Sequence, residues 1–195
     1  MKTKVFILAS GEQVRFEGSE LKQLLILKGQ SIIRRIQKQF EIYYPVWGIT
    51  CHEEITGEVC EFITPEKHRW TVETLKSTAK YWTDRTIVLL GDVIFTENAV
   101  DKIVMYKGDF QIFADGGEIF ALSFTDKVGV LNAIDKAIKH AKNGGRGKLW
   151  ELYRAYCGID LDSHEIDENL RTLITDNTMD IDCLHDYKLA KLRFK

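Results

Sequence analysis

Apolar residues run almost unbroken from Val5 to Ala9 and stop at Ser10-Gly11. A polar stretch carrying Arg15, Gly18 and Lys22 follows, and a second apolar patch, Leu24 to Leu27, closes on Gly29. The pattern predicts a buried strand, a loop at its carboxyl end and a return to the core. From Ser31 to Phe40, Ile32, Ile33, Ile36 and Phe40 share one helical face, opposite Arg34, Arg35, Gln37 and Lys38. This is an amphipathic helix laid on a sheet, with Ser31 as its N-cap. A second strand is expected from Pro45 through Ile49, and a third, shorter one at Glu58 to Ile63.

Val72, Leu75, Ala79 and Trp82 recur at helical spacing behind Thr71, which the pattern makes an N-cap. Thr86 to Leu90 is apolar enough for a central parallel strand, covered by helices on both faces. A helix is expected from Thr96 through Val104, then strands at Gly108 to Ala114 and Glu118 to Phe124 around Asp115-Gly116-Gly117. Helices follow at Asp126 to Lys142 and Leu149 to Cys157. Residues 158 to 170 read as an acidic surface excursion, Arg171 to Thr175 as a last strand and Leu184 to Leu192 as a last helix. Strands alternating with helices imply an α/β protein with a largely parallel sheet.

The totals narrow the function. A length of 195 residues, with two prolines and no obvious linker, favours a single domain over 1–195. A net charge of −2 leaves no electrostatic footprint for nucleic acid. The apolar runs fall short of a membrane span, and Val5 to Ala9 is too short for a signal-peptide core, so the expected location is cytoplasmic. Cys51, Cys60, Cys157 and Cys183 show no CxxC spacing and read as free thiols rather than zinc ligands. The five histidines show no HxxxH or HExxH spacing.

Candidate chemistry begins in the loop after the first strand. Neither the GxGxxG of a dinucleotide-binding turn nor the GxxxxGK of a P-loop fits it, which argues against a nicotinamide-dependent oxidoreductase. Two readings remain there. The loop wraps a triphosphate with backbone amides and with Arg15 and Lys22, or the two cations are merely solvated. Asp92, released by the strand TIVLLG, is either a ligand or a turn residue. The carboxylates of DIDCLHDY (180 to 187) form either a ligand group or a solvated turn, with Asp186 placed to favour the helix dipole. His68-Arg69-Trp70 is a capping loop or a substrate contact. EIFALSF (118 to 124) and the Trp150, Tyr153, Tyr156 stripe are core or the lining of an acceptor pocket.

The segment LASGEQVRFEGSELKQLLILKGQSIIRRI resembles the N-terminal signature of the sugar-phosphate and polyol-phosphate nucleotidyltransferases. That signature is roughly LAAGxGxRx, a spacer, then PKxLxxLxGxxxIxxxI. Leu8, Ala9, Gly11, Arg15, Lys22, Leu25, Leu27, Gly29, Ile33 and Ile36 carry the match. LLGDVIF is similar to the family's LxxxGDxxF, and DIDCLHDY to its DxDTxxDx. The resemblance implies a three-layer sandwich with a mostly parallel, mixed central sheet, of the nucleotide-diphospho-sugar transferase (glycosyltransferase-A-like) kind. It implies Arg15 and Lys22 as the catalytic cations on the triphosphate, with Ala9, Ser10, Gly11, Glu12 and Gln13 around the nucleotide. It implies Mg²⁺ held by Asp92 and Asp182, and a base- or substrate-contacting role near His68-Arg69-Trp70.

The expected partners are an NTP and a phosphorylated small-molecule acceptor, such as a sugar phosphate. CTP is preferred because the short chain and its DIDCLHDY ending look like the small cytidylyltransferases. Neither nucleic acid nor membrane is expected as a partner, and a homodimer is left open. Gln13 stands at the family's second glycine and Leu21 at its proline. They keep a second expectation in play, a non-catalytic nucleotide-binding or regulatory relative.

Overall fold

The computed structural model describes residues 1–11 and 21–194. It begins with β1 (Thr3–Leu8) and a 3-10 turn at Lys22–Leu24. A small antiparallel hairpin of β2 (Ile26–Leu27) and β3 (Gln30–Ser31) leads into helix α1 (Ile32–Glu41). Then come β4 (Val46–Ile49), the short helix α2 (Glu53–Thr56), β5 (Phe62–Ile63) and α3 (Thr71–Ser77). β6 (Arg85–Leu90), β7 (Val93–Ile94), α4 (Glu97–Met105), β8 (Phe110–Ala114) and β9 (Ile119–Phe124) follow. Last are α5 (Lys127–Lys142), α6 (Leu149–Cys157), β10 (Arg171–Leu173), β11 (Met179–Asp180) and α7 (Leu184–Arg193).

Among the described residues, seven strands form one sheet in the order β10-β8-β9-β6-β1-β4-β5. Only β9 runs against its neighbours; the pairings of β1 with β4 and β6, β4 with β5, and β8 with β10 are parallel. Alternation along the strands divides the core. Val5, Ile7, Ile87 and Leu89 point to the layer of α1 and α4, where Ile32, Ile33, Ile36, Phe40, Val100 and Ile103 meet them. Phe6, Leu8 and Val88 point to the layer of α3, α5 and α6, with Val72, Leu75, Ile134 and Leu152. The fold is the expected three-layer α/β sandwich with a mostly parallel, mixed central sheet. Two-sided burial is why β1 and β6 read as unbroken apolar runs. No helix among the described residues is long and apolar enough to cross a membrane.

Capping follows the sequence at three helices. Ser31 accepts from Arg34 N–H, Thr96 from Ala99 N–H, and Asp126 from Gly129 N–H. Two expectations are corrected. The strand sought at Glu58 to Ile63 shrinks to Phe62–Ile63, because α1 side chains take up the backbone before it. Arg34 Nη1 donates to Glu58 O (3.2 Å), and Gln37 Oε1 accepts from Cys60 N–H (3.1 Å). Thr71 is the first helical residue rather than the cap. Trp70 holds the cap position with no side-chain bond, and Val72 N–H reaches Gly147 O instead (3.1 Å). A tertiary carbonyl thus satisfies a donor that a cap residue would otherwise serve.

Candidate functional site

The chain leaves β1 toward β4 and β5 on one side of the sheet, then returns to build β6 on the other. The crevice beyond the carboxyl ends of β1 and β6 is therefore the topological switch point, where open α/β sheets bind ligands. Leu8, Ile49 and Leu90 end their strands in register. Ser10 Oγ donates to Ile49 O (2.9 Å) and Thr50 Oγ1 to Ala9 O (3.1 Å), stitching the loop starts together. Ala9 is packed into the core, while Ser10 and Gly11 line the crevice. Glu12, Gln13 and Arg15 lie outside the described residues.

Gly91 lets β6 turn across the end of β1. Its N–H donates to Leu8 O (2.9 Å), and a Cβ there would stand 2.9 Å from that oxygen and 3.1 Å from Ala9 Cβ. Because the obstacle is backbone, Gly91→Ala is expected to cost roughly 1–3 kcal/mol and to push Asp92 out of place. Gly116→Ala, whose Cβ would meet nothing within 4 Å, is the control. Thermal unfolding of the two variants checks the difference.

Asp92 follows Gly91, and the next two residues, β7, pair antiparallel with β11. Ile181 N–H extends that ladder to Asp92 O (2.9 Å), which sets Asp182 beside Asp92. Asp186 fixes the turn from α7. Its Oδ2 accepts from Asp182 N–H (3.0 Å) and Cys183 N–H (2.8 Å), and hydrogen bonds led by Cys183 outweigh its burial and hold it below the usual carboxylate range. The expected helix-terminus role for Asp186 is thus realised as a cap that also orients Asp182.

Lys22 closes the group. Its ammonium lies 3.0 Å from Asp92 Oδ2 and 3.2 Å from Asp182 Oδ1. Burial opposes its charge, yet Asp92 and then Asp182 outweigh that and raise it above the ordinary lysine range. Asp180 adds a fourth titratable group. Burial, then the charges of Asp182, Asp92 and Glu118, push its carboxyl up to about 7.

These residues form one wall of a cleft of about 450 Å³. The facing wall carries His68, Arg69, Trp70, Arg146, Lys148 and Trp150. Arg69 stacks its guanidinium 4.6 Å over Trp70. The 144–148 loop is held from below by buried Glu151, which accepts Arg146 N–H (2.7 Å) and Lys148 N–H (3.1 Å). Gly147, at φ +62°, lies so close to Trp70 that a Cβ would fall 2.4 Å from its Cβ. Trp150 donates from Nε1 to Gly117 O (2.9 Å), closing the cleft beside Glu118. Of the aromatic stripe only Trp150 lines the cleft; Tyr153 is core and Tyr156 stacks on Phe110 at 4.1 Å.

Arg146 and Lys148 are cleft residues that the sequence reading missed. Their signal was the glycine-spaced pair of cations in GGRGK, directly ahead of a helix.

The donor set limits what metal fits. Among the described residues no three His, Cys, Asp or Glu side chains gather as a metal cage. Two carboxylates converging on one point fit Mg²⁺, which is commonly held by one or two carboxylates with substrate phosphates and water.

No family model and no curated protein matches the chain in sequence. Solved structures do match its shape. One is a Bacillus anthracis protein assigned as a glucose-1-phosphate thymidylyltransferase, in complex with a sucrose; it is 14% identical, with a TM-score of 0.68, over 98% of this chain and 94% of that one. Another is HddC from Yersinia pseudotuberculosis complexed with GMP-PN, 15% identical, with a TM-score of 0.64, over 98% of this chain and 99% of that one. The chain has a nucleotidyltransferase-like fold. Both neighbours are matched along nearly their whole length, so the likeness takes in the sheet and both helical layers.

Proposed function

We propose that this chain, as a single domain, transfers a nucleotidyl group from an NTP to a phosphorylated small-molecule acceptor, with Mg²⁺ and release of pyrophosphate. One observation carries the reading. Asp92 and Asp182, far apart in sequence, meet at the Lys22 ammonium in a cleft at the switch point of the sheet.

In the reaction a phosphate oxygen of the acceptor attacks the α-phosphorus. A new P–O bond forms, and the bond from the α-phosphorus to the bridging oxygen breaks, so that its electron pair leaves with pyrophosphate. Both reactants are strongly anionic, so positioning and charge stabilisation supply most of the catalysis, and no side-chain nucleophile is needed. Asp92 and Asp182 would hold Mg²⁺, which when bound neutralises phosphate charge and aligns the reacting oxygens. Lys22, together with Arg15 by resemblance, faces the triphosphate. Arg69, Arg146 and Lys148 make the opposite wall electropositive, and Trp70 and Trp150 offer flat faces to a base or sugar ring.

Calorimetry of the four NTPs with Mg²⁺, followed by a pyrophosphate-release screen over sugar phosphates and polyol phosphates, tests the proposal. Turnover with one NTP and one acceptor class is expected, with CTP as the leading donor. Tight binding of an NTP without turnover on any acceptor would instead support the non-catalytic relative.

A further inference from the structure

Two carboxylates held close together repel each other unless a cation lies between them. Here the cation is supplied by the protein itself. The Lys22 side chain is only 10% exposed and spans Asp92 and Asp182, from which it is separated by 70 and 160 residues along the chain. Its backbone is fixed, since Leu24 N–H bonds to Leu21 O and Leu25 N–H to Lys22 O in the 3-10 turn. The flexible four-carbon stem is therefore the part able to change partners.

A divalent cation bound by Asp92 and Asp182 needs the same carboxylate oxygens that Lys22 now engages. A metal ion arriving alone would strip a largely buried ammonium of these two anions, an exchange with a high desolvation cost. A metal ion arriving with a triphosphate brings replacement anions, because phosphate oxygens are strong acceptors for an ammonium. We propose that Lys22 is a resident counterion of the Asp92–Asp182 pair that yields its place only when metal and triphosphate come together, so that the site rejects free metal and binds the two cooperatively. The inference rests on the proposed nucleotidyl-transfer reading and deepens it, giving Lys22 a positioning role before it meets the nucleotide.

The test measures binding rather than turnover. Mn²⁺ is titrated alone and with CTP, by electron paramagnetic resonance, against the wild-type protein and the Lys22→Met, Lys22→Gln and Lys22→Arg variants. The Met and Gln variants are expected to bind Mn²⁺ alone about tenfold more tightly than wild type, within the usual range of site-to-site coupling, and to bind Mn²⁺ with CTP less tightly. The Arg variant, which keeps the charge, should reject free Mn²⁺ as wild type does. Met and Gln variants that bind free Mn²⁺ no better than wild type, while wild type binds Mn²⁺ with CTP, would overturn the inference and leave the proposed function standing. Failure of wild type to bind Mn²⁺ with any NTP would overturn the proposed function itself.

A measurement on wild type covers the case of poorly folded variants. The ¹⁵N-labelled ammonium signal of Lys22 should stay in place on adding Mg²⁺ alone and move when CTP is added with it. A full shift with Mg²⁺ alone would overturn the inference.

Discussion

Asp92→Ala is expected to abolish Mg²⁺-dependent pyrophosphate release, by about a thousandfold or more, a loss of about 4 kcal/mol of transition-state stabilisation. The bond that joins the two halves of the site runs from Ile181 N–H to the main-chain oxygen of Asp92, which alanine retains. What alanine removes is one of the two oxygen ligands proposed for the metal and one of the two carboxylates engaging Lys22. Pyrophosphate release and thermal unfolding, measured on the same preparation, separate the chemistry from the fold. Near-normal turnover in a variant that melts like wild type would sink the assignment of Asp92.

The largest loss of stability is expected far from the cleft. Arg85 opens β6 at the end opposite Asp92 and is fully buried. Its guanidinium donates to Ile103 O (2.6 Å) and Val104 O (2.8 Å), to Ser123 Oγ (3.0 Å) and to Tyr44 Oη (3.4 Å). The two carbonyls belong to the last turn of α4, where a positive charge is favoured by the helix dipole and meets orphaned acceptors. Burial pulls the guanidinium below its ordinary range, and this fan of acceptors offsets the cost of keeping it inside.

Arg85→Met fills most of the space but leaves those acceptors without a donor. The expected cost is about 3–5 kcal/mol, which lowers the unfolding midpoint by about 10 °C. Lysine should rescue little, since a single ammonium cannot reproduce the planar fork. At a temperature where the variant stays folded, its activity per folded molecule should match wild type. Denaturant titration and the pyrophosphate assay read the two effects separately. A midpoint within a few degrees of wild type would show that the buried guanidinium contributes little.

These two residues differ sharply in how legible they were. Asp92 could be read because its position is local information. A buried strand ends, a glycine follows, and the next polar residue must emerge where the sheet opens. Arg85 carried no comparable sign, since a charged residue before an apolar run reads as surface. Only the packing of α4 against the sheet converts it into an internal donor. Thr71 shows the reverse case. Its sequence context matches an N-cap, yet the carbonyl of Gly147 supplies the acceptor and the cap is not needed.

Likewise, α2 was missed although Glu53 and Glu54 are typical first-turn residues. Its four residues are too few for apolar periodicity to register. Arg146 and Lys148 lie in a glycine-spaced stretch with no apolar pattern of its own, and only the bonds to Glu151, the contact with Trp70 and the cleft give that loop a direction.

By itself, then, the sequence determined the order of the main elements, the two buried faces of the sheet, and the emergence of Ser10-Gly11 and Asp92 at strand ends. Each follows from periodicity or punctuation within a few residues of chain. Its resemblance to nucleotidyltransferases also pointed to Lys22 and Asp182. The tertiary structure alone decided that Lys22 lies between Asp92 and Asp182, that a cationic wall faces them, and that Arg85 locks α4 to the sheet. Those are pairings between distant segments, fixed by strand order and by the β7–β11 ladder. A hydrophobic pattern records whether a residue is buried, but not which residue it meets there.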